Sequence, residues 1–122
     1  MTTYSEAFPS LVHVYLEDSW VLAVRPSEAM LEFDLEAVLT GEHPDYRGPA
    51  SGEQYDYRRA RLVLHGQVTC NLSGAPPALD ADGEQDLGNI DTWTVDEAGV
   101  SLLTGPWGHA QVTRPRAEFV LA

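Results

Sequence analysis

Five carboxylates, Asp80, Asp82, Glu84, Asp86 and Asp91, stand in a stretch of turn formers, SGAPPALDADGEQDLG, and its continuation. Counted from Asp80 they fall at positions 1, 3, 5, 7 and 12, where calcium-binding loops place their oxygen ligands. The match stops there. Glycine comes at position 4 (Gly83) and not at position 6, where the sharp turn needs it, and an aspartate replaces the bidentate glutamate. No helical pattern flanks the loop, and Asp-Gly in a polar stretch is ordinary turn chemistry. The expectation is therefore a solvated loop without a metal, with Asp80, Asp82, Asp86 and Asp91 as candidate contacts for a partner or ligand.

Trp93, beside Asp91, and Trp107, in a Gly-Pro-Trp-Gly turn, are the next candidates. Exposed rings next to carboxylates would suit a sugar, covering its C–H face while the acids accept from its hydroxyls. Turn tryptophans also fold back to close cores, and that is the preferred reading. Tyr46, Tyr55 and Tyr57 accompany Arg47, Arg58 and Arg59 in the chain's one basic cluster. Tyr46 and Arg58 could bind a carboxylate or phosphate there, or could pin a loop to the sheet. His13, His43, His65 and His109 are never within four residues of one another, and none pairs with Cys70 at a zinc spacing. Nucleophile elbows, phosphate loops and zinc motifs are missing, so neither catalysis nor a cofactor is expected.

Seven basic residues against nineteen acidic ones leave a net charge of −12 over 122 residues. Such a surface repels nucleic acid phosphates and anionic membranes, so neither is an expected partner. It would steer a basic protein toward the chain, though it would also simply keep the chain in solution. All seven basic residues are arginine, a bias that GC-rich bacterial codon usage would produce. The lone Cys70 excludes an internal disulfide. MTTYSEAF shows no secretory pattern, and no apolar window is long enough to span a bilayer, so a cytoplasmic protein is expected.

The elements that must position these residues are strands. In ARLVLHGQVTCNL, Leu62, Leu64, Gly66, Val68, Cys70 and Leu72 share one side, and mostly polar residues share the other. Even positions from Val12 to Val24 are apolar except Asp18, which puts Trp20 in the core. Ala29 to Leu39 alternates too, although Leu31, Leu35 and Leu39 would also fit a helix. Residues 1–10 read as a lead-in. Thr40–Asp56 is a connection long enough to be either functional or locally packed. Asn89–Asp96, Val100–Thr104, a strand through Ala110 and Val112, and a short last strand after Arg114-Pro115-Arg116 complete the pattern.

The segments HPDYR (43–47), YRRARLVL (57–64) and DLGNIDTW (86–93) resemble a group of small acidic bacterial proteins, over about residues 30 to 113. That group's motifs carry no known chemistry. In gross character only, the chain also resembles immunity proteins that neutralise toxins. The expectation is all-β: one domain over residues 1–122, an antiparallel β-sandwich or partly closed barrel of seven to eight strands. Its role would be to bind a protein, an immunity- or adaptor-like part, with a small-ligand or carbohydrate module as the alternative. The pattern sets no oligomeric state.

Overall fold

The computed structural model describes residues 1–73, 78, 79, 83 and 85–122. The fold is all-β. Its strands are β1 (Thr2–Thr3), β2 (Val14–Pro26), β3 (Met30–Leu39), β4 (Asp56–Leu72), β5 (Ala78–Leu79), β6 (Gln85–Asp86), β7 (Thr92–Val95), β8 (Val100–Gly105) and β9 (Gly108–Leu121). One helical turn, α1 (Tyr4–Ala7), and a 3₁₀ turn (Pro9–Leu11) precede β2. Seven strands form one antiparallel sheet in the order β1-β7-β8-β9-β4-β3-β2, and β5 pairs only with β6. The layout is therefore neither two stacked sheets nor a closed barrel.

The sheet nevertheless curls until its ends meet. Laid flat, seven strands at about 4.8 Å spacing would hold the outermost pair roughly 29 Å apart. Tyr4 follows directly on β1, and its ring stacks on Trp93 of β7. Its hydroxyl nevertheless donates to Val14 O (3.1 Å) and accepts from Leu16 N (3.0 Å), both on β2 at the opposite end. Further along, Val21 N donates to Gly88 O (2.7 Å) and Leu87 N donates to Val21 O (2.9 Å). Asn89 Nδ2 adds a bond to Ser19 O (2.6 Å). Side chain and connecting segment thus satisfy an edge strand that would otherwise recruit another chain. Burial pushes the Tyr4 phenol far above its ordinary pKa, aided by the nearby Glu17 carboxylate, so it keeps its donor proton. Tyr4→Phe should strand the Leu16 N–H and cost about 1–3 kcal/mol in a urea titration; no change in midpoint would mean the seam closes without it.

The curl gives a single interior. Leu16, Val21, Leu31, Phe33, Leu35, Leu62, Leu64, Ile90, Trp93, Leu103, Trp107 and Val112 belong to one buried cluster. Strand β3 alternates as the sequence implies, with Leu31, Phe33, Leu35, Ala37 and Leu39 buried. Helix was open to it on spacing alone; pairing along both edges, with β2 and with β4, settles it as strand.

Three irregularities shift the register, one of them a single extra residue of β2 between Val21 and Ala23. Between Tyr15↔Val38 and Trp20↔Glu36, β2 advances five residues against two of β3. The extra residues swing Val21 inward and leave Trp20 outside, 38% exposed, which corrects its expected place in the core. Ser19 repairs the gap, donating to Tyr15 O (2.7 Å) and accepting from Val38 N (2.9 Å). In β9, Arg114 and Pro115 oppose the single Gly66, and Arg114 has φ 42°. A bulge tolerates a proline that a regular ladder would not. Its extra residue switches parity, so Ala110 and Val112 before it face the same core as Ala117, Phe119 and Leu121 after it. What reads as two strands is one.

Candidate functional site

The sequence candidates do not converge. Asp80 and Asp82, and with them the calcium-like loop, lie outside the described residues. Asp86 Oδ1 accepts from Gly88 N (2.9 Å), holding the segment that seals the β2 edge. Asp91 is exposed, anchored through its own N–H to Thr104 O (2.8 Å). Trp93 and Trp107 are each 3% exposed. Trp93 lies against Tyr4 and Phe8, with ring centroids at 5.5 and 5.1 Å. Trp107 meets Phe33 edge-on and donates to Asn89 O (3.1 Å). Neither ring has a face left for a sugar, so both close the core, as preferred, and the alternative stacking platform is not built.

Arg58 is an anchor. Its Nε bonds Asp56 Oδ1 (3.2 Å) and its Nη2 bonds Asp45 O (2.5 Å). Asp56, buried, also accepts from Arg47 N (2.8 Å). With Thr40 N on His13 O, His43 N on Thr40 O and Tyr46 N on His43 O, these bonds pack the long connection onto the end of the sheet. Held at both Nε and Nη2, the guanidinium serves as the pin of this loop.

That packing creates a concavity. A cleft of about 250 Å³ lies between the connection and the outer side of β2 and β3, lined by Tyr15, Val38, Tyr46, Gln54, Tyr55 and Asp56 among others. Register explains its composition: Tyr15, Val38 and Tyr57 stand opposite one another across β2, β3 and β4. Tyr55 meets Tyr15 and Tyr57 edge-on, at centroid distances of 6.5 and 5.9 Å. Its hydroxyl donates to Asp18 Oδ2 (2.7 Å), a bond that pushes the Tyr55 phenol above its ordinary pKa and keeps the proton on the phenol. Tyr46 at the rim is 39% exposed. Of the residues singled out from the sequence, only Tyr46 and the anchoring Arg58 belong to this neighbourhood.

A second, larger groove of about 660 Å³ runs over the outer face of β2, β3, β4 and β9. Its polar groups largely hold one another. Arg25 pairs with Glu32 and Asp34, each at 2.6 Å; Arg61 reaches Glu32 (3.6 Å); His65 meets Glu118 (3.2 Å). The Arg25 hydrogen bond also keeps the Asp34 carboxyl below its ordinary pKa. Arg59 pairs with Glu36 at 3.3 Å. His109 is elsewhere, beside Asn71. Cys70 is half-buried against the core, and burial raises its thiol pKa, as expected of a packing residue rather than a nucleophile.

Among the described residues, no three His, Cys, Asp or Glu side chains gather as a metal site would need, and no helix is long and apolar enough to cross a membrane. No protein-family model matches the chain, and searches of curated proteins and of solved structures each return no match, leaving geometry to carry the functional reading.

Proposed function

We propose that this domain is a non-catalytic protein-binding module, immunity- or adaptor-like in role, whose acidic surface meets a basic partner. One observation carries the reading. Four of the seven arginines (Arg25, Arg58, Arg59 and Arg61) are paired with Glu32, Asp34, Glu36 and Asp56, so much of the chain's positive charge is neutralised within its own ion pairs. Glu17, Glu28, Asp45, Glu53, Asp91 and Glu97 stay exposed. The field beyond the surface is then dominated by one sign, which speeds encounter with a cationic protein and disfavours anionic ones.

The test is capture on immobilised domain, followed by titration calorimetry of each purified captured protein at 50 and 300 mM salt. The reading requires a basic protein that binds in a saturable 1:1 manner, at least tenfold more weakly at the higher salt. Capture of acidic or neutral proteins alone, or binding indifferent to salt, would count against it. Among the described residues, the small-ligand alternative has the outer groove, whose volume falls in the usual range of roughly 300–1,000 Å³ but whose charges already satisfy one another.

A further inference from the structure

The tyrosine cleft is too small for a typical small-molecule site, since about 250 Å³ falls below the roughly 300–1,000 Å³ such ligands occupy. It is the right scale for one side chain. Three tyrosines line it, Tyr15, Tyr46 and Tyr55, and the rings of Tyr15 and Tyr55 meet at 80°. Aromatic faces carry negative charge density, which attracts a cation and repels an anion. Asp18 stands behind Tyr55 at 2.7 Å from its hydroxyl, whereas Asp56, also in the lining, is already held by Arg47 N and Arg58 Nε. The segments that form the walls also carry Glu17, Glu42, Asp45 and Glu53, against Arg47 and the already engaged Arg58. Trp20 adds a further exposed ring on the same strand as Tyr15, placed outside by the bulge.

We propose that this cleft receives an arginine side chain of the basic partner, a reading that rests on the protein-binding role above. Arginine suits it better than lysine. A guanidinium is planar, stacks on tyrosine faces and is weakly hydrated, so it loses less on leaving water than a compact ammonium does. Its remaining N–H groups can reach a carboxylate while the plane lies against a ring. Tyrosine-rich clefts with an arginine insert also have the composition of interface hot spots, where one filled pocket dominates affinity.

The experiment uses the full chain, ¹⁵N-labelled, titrated with Nα-acetyl-arginine methylamide and, separately, with its citrulline counterpart. Citrulline keeps the shape and loses the charge. The expected result is a saturable amide shift confined to Thr40, Gly41, Gln54, Tyr55 and their neighbours, with citrulline binding at least tenfold more weakly. Tyr46→Ala and Tyr15→Ala should each weaken arginine binding about fivefold. Both side chains are more than a third exposed, so the melting temperature of each variant should stay close to that of the parent. Shifts scattered over the surface, equal binding of citrulline, or no saturation would overturn the proposal. If a basic partner still binds the Tyr15→Ala/Tyr46→Ala double variant with undiminished affinity, the cleft assignment fails while the protein-binding role stands. If no basic partner binds even the parent chain, both fail.

Discussion

Trp93→Ala should destabilise the domain by about 3–5 kcal/mol, a large share of the roughly 5–15 kcal/mol that holds a domain folded. The indole is buried where the two ends of the curled sheet meet, stacked on Tyr4 at 5.5 Å and tilted against Phe8 at 5.1 Å. Removing it opens a cavity and also withdraws the surface on which the N-terminal turn rests. That turn carries the Tyr4 hydroxyl to Val14 and Leu16, so the loss passes from β7 to the far edge strand. Trp93→Phe should cost much less. The indole N–H has no hydrogen-bond partner among the described residues, so phenylalanine gives up ring volume but leaves no polar group stranded. Urea unfolding of both variants measures the difference. If Trp93→Ala costs less than about 1.5 kcal/mol, the N-terminal turn does not bear on β7 in solution.

The strand content was readable because β3 and the first half of β4 keep a two-residue period in register with one another, and only Val38 and Val63 are buried on the other side. The closure of the sheet was not. Tyr4 and Phe8 sit in a segment too short for any period to show, and their packing depends on a strand more than eighty residues away. Trp20 was misplaced because counting by twos assumes no extra residue, and Glu17-Asp18-Ser19 supplies the excess that turns the count over. The break was visible at those polar residues, but not its size. At Arg114-Pro115 the reverse signal stood in plain view, since the apolar positions pass from even (110, 112) to odd (117, 119, 121), as one bulge within one strand requires.

The candidate site follows the same division. Tyr46 and Arg58 were found through local composition. Tyr15 joins them only through cross-strand register with Val38 and Tyr57, which no linear motif records. Trp93 and Trp107 carried an ambiguous signal, because a tryptophan beside a turn looks the same whether it faces a ligand or the core. Burial decided it against the ligand.

Gly108→Ala should cost about 3 kcal/mol or more, and the reason is backbone meeting backbone. Pro106 and Trp107 are the whole loop between β8 and β9, with Gly105 paired to Gly108 across it. Gly108 has φ +136°, a conformation that side-chain-bearing residues rarely adopt. A Cβ there would overlap Asn71 O and press on Leu72 Cα and Ser73 N, the end of β4 against which β9 pairs. No rotamer relieves such a contact, so β9 must lift away from β4. Lifting it loosens the Ser73 N bond to Trp107 O (2.7 Å) and the Trp107 indole's hold on Asn89 O (3.1 Å), both next to the seam. Gly52 is the control. It too has a positive φ (83°), but open space surrounds its absent Cβ, so Gly52→Ala should show only the conformational cost of about 1 kcal/mol. Hydrogen exchange separates the two: Gly108→Ala should speed exchange of the amides of Leu72, Ser73 and His109 before the core strands open, whereas Gly52→Ala should leave them unchanged. Equal urea midpoints for the two variants would show that strain at φ, and not the crowding of β4 on β9, is what glycine relieves at this turn.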